Sequence, residues 1–213
     1  MATFGAVKTA IARRLLDENH TAITDVEIGE AINESISFWK HKRFLFNVAS
    51  SVLTIASGDS TITTLPSDFL ADIPRNALVI TFSSEVYQVK QVSPAVFDGL
   101  RNTTSTGRPH SYCYRNGVIE FYPTADREYS AKLYYIKDYD DFTTSGTQDS
   151  LTNDFLTHAQ SLIQNHALAN LHGELRQDFK MEDRYTQRAE IEYNNLRNKV
   201  SKSLRTGTLT IEQ

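Results

Sequence analysis

Three acidic side chains stand close together near the end of a predicted strand, and carboxylate oxygens are ligands that hard cations such as Ca²⁺ prefer. Asp138, Asp140 and Asp141 form this cluster. Tyr139 and Phe142 interrupt it, and no glycine turn folds the segment around an ion. The spacing therefore favours a solvated loop over a cation site.

Three histidines, His158, His166 and His172, fall within a long helical pattern near the C-terminus. Steps of eight and six residues turn them towards different faces of a helix, so they do not converge on one ion. We expect polar-face or interface positions for all three. The sequence predicts no metal site and no cofactor.

Catalytic motifs are absent from the sequence: it has no glycine-rich phosphate loop, Gly-x-Ser-x-Gly elbow, His-Glu-x-x-His pair or EF-hand spacing. Asp68 follows Pro66 in a predicted turn and has no paired titratable group, so it fits a turn or capping residue better than a general base. We predict that the chain is not an enzyme. A small hydrolase with an atypical site around Asp68 or Asp138 is one alternative, which requires a concave pocket with a perturbed carboxylate.

Basic and aromatic side chains interleave at the end of a predicted helix, where Lys40, Lys42 and Arg43 stand among the aromatic residues Trp39, Phe44 and Phe46. Such interleaving is typical of surfaces that bind single-stranded nucleic acid. A helix C-terminus also gathers positive charge against the helix dipole. The formal net charge of −4 provides no overall basic field, so the helix-end interpretation is favoured. A nucleic-acid-binding accessory protein remains the second alternative.

Length and composition predict an ordinary globular protein, with 213 residues of which 40% are hydrophobic. Cys113 is the lone cysteine, so no internal disulfide forms and a reducing compartment is expected. No segment has the roughly 20 apolar residues that a membrane span needs. We therefore expect a soluble protein without membrane contact.

The longest helical pattern in the sequence covers residues 154–202. Apolar residues recur there every three or four positions, and no proline interrupts them. One rod of this length would span roughly 70 Å, which a small protein rarely covers with its own core. The apolar phase slips between residues 176 and 182. We predict two scaffold helices, 154–175 and 183–202.

Two further helices are predicted near the N-terminus, over residues 3–16 and from Thr24 to about residue 42, and Thr24 with Glu27 forms a capping box. Between them and the scaffold, alternating patterns predict about seven antiparallel strands. These form hairpins at residues 48–65, 76–92 and 112–122, followed by a last strand at 129–137, with a short helix after Ser93-Pro94. The fold class is α+β, divided into N-terminal helices (1–44), an antiparallel β domain (45–150), C-terminal helices (151–202) and an extended C-terminal arm (203–213).

The arm has no helical phase but alternates weakly, with Leu209 and Ile211 facing one way. Such a tail is either frayed or extended against another protein. Composition alone favours fraying.

Several short strings between residues 24 and 196 occur in a characteristic order that is more specific than any one of them. They are Glu30-Ala31-Ile32-Asn33-Glu34-Ser35, Leu65-Pro66-Ser67-Asp68-Phe69, Val92-Ser93-Pro94 with Phe97, Gly107-Arg108-Pro109, Ile119-Glu120-Phe121-Tyr122-Pro123 and Leu133-Tyr134-Tyr135. With the paired C-terminal helices, this order resembles the head-to-tail adaptor (connector) proteins of tailed bacteriophages. The turn between the scaffold helices departs most from the family pattern.

The resemblance implies a non-enzymatic virion protein, assembled in the host cytoplasm, that forms a ring commonly of about twelve copies around the DNA channel. Its implied partners are the portal protein, a tail nozzle or tail tube protein, further copies of itself and, non-specifically, the passing DNA. In such a ring, the C-terminal arm is a candidate portal contact through Leu204, Arg205, Leu209 and Ile211. Lys40, Lys42 and Arg43 would then face the DNA channel or a partner.

Overall fold

The computed structural model describes residues 1–16, 22–73, 77–102, 105–143 and 147–206. The chain divides into two compact units. A helical unit comprises Met1–Asn47 and Tyr139–Gln213, and a β unit comprises Val48–Asp138. Residues 139–143 and 147–150, which the sequence assigned to the β domain, therefore belong to the helical unit.

Six helices and ten strands make up the described part of the chain. The helices are α1 (Phe4–Arg14), α2 (Asp25–Trp39), α3 (Pro94–Arg101), α4 (Asp154–His158), α5 (Gln160–Glu174) and α6 (Phe179–Thr206). The strands are β1 (Val48–Ile55), β2 (Thr61–Ile62), β3 (Phe69–Asp72), β4 (Leu78–Phe82), β5 (Glu85–Gln91), β6 (Thr106–Gly107), β7 (Ser111–Arg115), β8 (Val118–Tyr122), β9 (Thr124–Ala125) and β10 (Tyr129–Lys137). The predicted α+β class is confirmed, and no described helix is long and apolar enough to cross a membrane.

Helix α2 begins at the predicted capping box. The Thr24 hydroxyl accepts a hydrogen bond from the Glu27 backbone N–H at 3.3 Å, and the Glu27 carboxylate accepts one from the Thr24 backbone N–H at 2.7 Å. Both bonds satisfy donors that have no partner within the helix. The apolar residues that recur every three or four positions along this helix are buried. They are Ile28, Ile32, Ile36 and Trp39.

The C-terminal helices break where the phase of the apolar pattern slips, because α5 ends at Glu174 and α6 begins at Phe179. Gln177 adopts a left-handed conformation with φ of 52° in the connection. The two helices pack closely, and a Cβ placed on Gly173 would lie 2.7 Å from the Glu182 carboxyl carbon. Gly173, which lowers helix propensity, thus leaves room for the Glu182 carboxylate, the flexible end of an α6 side chain.

The segment before α4 is held against the N-terminal helices. Phe142 stacks on Phe4 with ring centroids 4.6 Å apart. The Asn33 side chain donates to the Phe142 carbonyl at 2.8 Å and accepts from its N–H at 3.0 Å. The backbone N–H of Gly5 donates to the Asp149 carbonyl at 2.9 Å. These contacts explain why residues after Asp138 belong to the helical unit.

The β unit contains a main sheet in the order β1-β10-β4-β5-β7-β8-β2, with β3 also pairing with β10. A second, two-stranded sheet pairs β6 with β9 in parallel. Two predicted hairpins are confirmed, β4–β5 and β7–β8. Their turns have positive φ at both central residues, at Ser83 and Ser84 and at Asn116 and Gly117. This geometry matches the right-handed twist of the flanking strands.

The predicted hairpin over residues 48–65 is wrong. Strand β1 pairs along its length with β10, from Val48 opposite Ile136 to Ile55 opposite Tyr129, while β2 pairs with β8. The intervening turn bonds elsewhere, since the Gly58 N–H donates to the Ala125 carbonyl at 2.8 Å. A second difference is that β5 and β7 run parallel. Helix α3 lies between them in sequence, and such a crossover returns the chain in the same direction.

An ion cluster around one buried lysine joins three parts of the helical unit. The Lys8 ammonium lies 2.5 Å from the Asp25 carboxylate and 2.6 Å from the Asp149 carboxylate. The Lys8 side chain is 2% exposed, whereas those of Asp25 and Asp149 are 45% and 43% exposed. Burial lowers the pKa of Lys8, but hydrogen bonds and charges from the two aspartates outweigh it, so the pKa is raised. The lysine is therefore charged in the core and depends on both carboxylates.

Removing the lysine should cost less stability than removing its partners. Lys8→Met leaves two carboxylates that are nearly half exposed, although the Asp149 Oδ1 atom itself is buried, and we expect a loss of about 2 kcal/mol. Asp25→Asn combined with Asp149→Asn leaves a buried ammonium without a counter-charge, and we expect about 3 to 4 kcal/mol. Urea unfolding followed by fluorescence of the single tryptophan, Trp39, reports on the helical unit. Equal losses for the two variants would contradict this account.

Candidate partner-binding surfaces

The basic residues predicted at the end of α2 form one turn of chain. Lys40 is the C-terminal cap of the helix, and Lys42 and Arg43 are exposed just after it. The buried Asn47 side chain fixes this turn by donating to the Lys40 carbonyl at 3.2 Å and the Lys42 carbonyl at 2.8 Å. Its carbonyl oxygen accepts from the Phe44 N–H at 2.8 Å. We call residues 40–43 the basic turn.

The aromatic residues that alternate with the basic turn are not available to stack on bases. Trp39 is 2% exposed and Phe44 is 1% exposed, while Phe46 is half-buried and packs against the core. Trp39 contacts Tyr193 with ring centroids 5.0 Å apart, and Phe44 stacks on Phe46 at 5.0 Å. The aromatic and basic residues thus alternate in the sequence because the aromatic ones face the core and the basic ones face solvent. Positive charge remains the main feature of the exposed surface.

The acidic cluster is spread along an extended segment. Asp140 and Asp141 are exposed, while the two intervening aromatic residues anchor the chain. The Tyr139 hydroxyl donates to the Asp154 carboxylate at 2.9 Å. No group of three metal-ligating side chains occurs within the described ranges.

Asp68 has a structural partner. Its carboxylate accepts a hydrogen bond from the Tyr135 hydroxyl at 2.7 Å, and its backbone carbonyl accepts one from the Asp138 N–H at 2.7 Å. Burial, followed by the hydrogen bond to Asp68, raises the pKa of Tyr135 to about 12. These contacts close a turn of the β unit, which agrees with the turn role that the sequence favoured.

In the helical unit, His172 is buried and His166 is half-buried, whereas His158 is exposed. The His166 ring stacks on Phe38 at 4.7 Å, and its Nδ1 lies 3.0 Å from the Ser35 hydroxyl. His172 stacks on Tyr185 at 5.5 Å. Burial lowers the pKa of both histidines, and the Arg176 charge adds to the effect at His172. His158 stacks on a different ring, so the three do not form one site.

The predicted C-terminal arm is partly helical. Leu204 and Arg205 lie in the last turns of α6, which continues to Thr206. The loss of apolar phase at residue 202 is therefore not the end of the helix. The prediction that the arm starts at residue 203 is therefore wrong for its first four residues. Leu209 and Ile211 lie outside the described residues.

A cleft of about 470 Å³ in the helical unit was not expected from the sequence. It lies between α1, α5 and α6, and we call it the basic cleft. Its main lining residues are Arg14, Asn165, Tyr185, Arg188, Ile191 and Glu192. Asn165 is buried and accepts a hydrogen bond from Arg14 at 3.3 Å. The cleft contains neither Asp68 nor Asp138, which belong to the β unit.

The outward face of α2 carries a second unexpected surface, which we call the acidic stripe. Val26, Glu30, Glu34 and Phe38 follow one another at steps of four residues and are all exposed. The Val26 and Phe38 side chains are 44% and 55% exposed. A weak contact of 3.5 Å joins the Asn170 amide to the Glu34 carboxylate. The stripe combines two carboxylates with two exposed apolar groups.

Comparison with known families identifies the class of protein to which this chain belongs. The model of the SU10 adaptor protein family matches residues 2–211. Because the match spans nearly the whole chain, the chain belongs to this family, and the predicted resemblance to phage head-to-tail adaptors is confirmed. It is thus a bacteriophage adaptor protein, a structural component of the virion. A search of curated proteins finds no match.

Because His166 and His172 have lowered pKa values, we expect the protein to lose stability in mild acid. Because their folded-state pKa values are lowered, the unfolded chain binds more protons below its histidine pKa of about 6.5. The free energy of unfolding should be maximal above that pH and fall as the pH drops towards 5. Substituting both residues, His166→Gln with His172→Gln, should flatten this dependence, whereas His41→Gln at an exposed position should not. Urea titrations at several pH values measure it.

The basic turn should depend on Asn47. Asn47→Ala leaves the buried Phe44 N–H and two carbonyl groups without their partner, and we expect a loss of about 2 kcal/mol. Asn195→Ala, at an exposed position on α6, is the matched control and should change stability little. Denaturant unfolding compares the two, and similar values would show that the turn is held by other contacts.

Proposed function

We propose that the protein forms a ring, commonly of about twelve copies, that joins the portal to the tail nozzle or tail tube around the DNA channel. The observation that carries the proposal is the family match over residues 2–211, which includes both units and most of the tail. The role is mechanical, because the ring bridges two components and leaves a passage for DNA. No catalytic step is required of any side chain.

A non-enzymatic role agrees with the contacts of the groups that could have done chemistry. Asp68 closes a turn with Tyr135, and His166 and His172 are stacked inside the helical unit. The basic cleft is open and polar, and its single carboxylate, Glu192, lies four residues after Arg188 on one helix face. Each group therefore has a structural explanation.

The basic turn supports passage or docking rather than specific recognition. Lys42 and Arg43 project from a turn fixed by a buried amide, so they present positive charge at a constant position. Such charge binds phosphate groups without regard to base sequence and weakens with salt. We propose that Lys40, Lys42 and Arg43 face the DNA channel or a partner protein. The alternative of a nucleic-acid-binding accessory protein is less favoured, since Trp39 and Phe44 are buried.

The C-terminal tail is proposed to contact the portal. Leu204 and Arg205 lie at the end of α6, and Leu209 and Ile211 follow at alternating positions. An alternating segment can add to the edge of a sheet or lie in an apolar groove, with one set of side chains facing inward. The partner would hold the tail through Leu209 and Ile211, while Arg205 supplies charge near the helix end.

The tail proposal is tested by substituting one alternating set at a time. Leu209→Asp with Ile211→Asp should reduce binding to the portal of the same virus by about 100-fold, because two apolar contacts are lost and two charges are buried. Thr208→Asp with Thr210→Asp introduces the same charge on the opposite set and should reduce binding far less. Light scattering of the adaptor alone and mixed with portal, with imaging of large species, measures both binding and ring formation.

Two outcomes would contradict the proposals separately. Equal effects of the two double substitutions would show that the tail does not bind as an alternating segment. An unsubstituted chain that stays monomeric with portal but shifts with DNA would favour the nucleic-acid alternative. Reversing the charge at Lys42 and Arg43 then separates DNA binding from assembly, and loss of DNA binding without loss of assembly would support the nucleic-acid alternative.

A further inference from the structure

The basic cleft is a concave surface with an excess of positive charge. Two guanidinium groups, from Arg14 and Arg188, and one carboxylate, from Glu192, contribute to its lining, which leaves a net charge of +1. Arg14 donates to Asn165, and Arg188 lies over the Tyr185 ring with its guanidinium carbon 5.5 Å from the centroid. These contacts orient both groups while leaving several donors of each for another partner.

The cleft also has an apolar component. Ile191 is among its lining residues although its side chain is 59% exposed. A single exposed isoleucine needs no explanation, but one beside two oriented arginines in a concave surface suits a partner with both carboxylate and apolar groups.

The acidic stripe has the complementary composition. Glu30 and Glu34 supply two carboxylates, and Phe38 supplies an exposed aromatic ring at the end of the same row. Contacts with α5 hold the stripe in place, since Phe38 stacks on His166 and Asn170 contacts Glu34. Because α5 also contributes Asn165 to the cleft, a copy cannot bring its own stripe into its own cleft.

We propose that the acidic stripe of one copy docks into the basic cleft of a second copy, with Glu30 and Glu34 facing Arg14 and Arg188 and Phe38 packing near Ile191. The occupant is a second copy because one rigid helical unit carries both complementary surfaces. A contact between two different surfaces of identical chains is heterologous, and it closes into a ring when the rotation between copies permits. The inference rests on the proposed ring and assigns its neighbour contact.

Charge reversal tests the contact. One variant carries Glu30→Arg and Glu34→Arg, so that its stripe and cleft are both basic. The other carries Arg14→Glu and Arg188→Glu, so that both surfaces are acidic. Each alone should associate about tenfold or more weakly than the unsubstituted chain, because like charges meet at every contact. An equimolar mixture should recover association, and so should one chain with all four substitutions.

Each preparation is measured by sedimentation at high concentration without portal and by counting rings on portal. The matched control carries Glu190→Arg and Arg197→Glu, which are exposed on α6 outside the cleft lining, and should behave as the unsubstituted chain. Circular dichroism establishes that each variant is folded.

The outcomes separate this inference from the proposed function. If the unsubstituted chain forms rings on portal and each charge-reversed variant alone forms them equally well, the proposed contact is wrong and the proposed ring still stands. Folded variants that fail alone and also fail when mixed would overturn the contact as well. If the unsubstituted chain forms no ring but the mixed variants associate in sedimentation, the contact stands and the proposed ring falls.

Discussion

The helical unit depends on the charge of Lys8, which is buried where three segments of the chain meet. Asp25 is the first residue of α2, and Asp149 lies in the segment that precedes α4, so one ammonium group on α1 fixes both. The same segment bonds its backbone to the start of α1, where Gly5 leaves no room for a side chain against Asp149. A neutral side chain in place of Lys8 could fill the volume but could not specify this arrangement.

The cluster supports the surfaces on which the proposed functions rest. Helix α2 carries the basic turn at its end and the acidic stripe on its outward face, and its first residue is held by Lys8. Helix α1 carries Arg14 of the basic cleft at its last residue. The relative positions of stripe, turn and cleft are therefore set by contacts within one core, which is a requirement for a ring with repeated identical contacts.

Local patterns predicted much of the fold because the forces behind them act over a few residues. The capping box at Thr24, the turn at Asn116-Gly117 and the break between α5 and α6 each follow from short-range geometry. The partners of β1 and β2 did not follow, because pairing with β10 and β8 joins residues far apart in sequence. The parallel pairing of β5 with β7 required recognising that α3 acts as a crossover.

The surfaces were predicted less well than the fold. The basic turn was found because its residues are adjacent in sequence, but the burial of Trp39 and Phe44 is a property of the packed core. The basic cleft gathers side chains from three helices and has no sequence signature. Lys8 could have been noticed, since it falls within the buried stripe formed by Phe4, Val7 and Ile11.

The length of helix α6 determines where the C-terminal tail starts. In a helix, residues 203–206 advance about 6 Å along the axis, whereas an extended chain of the same length would cover about 13 Å. The chain thus reaches Thr206 in a defined position and direction, from which the proposed portal contact of the tail would start.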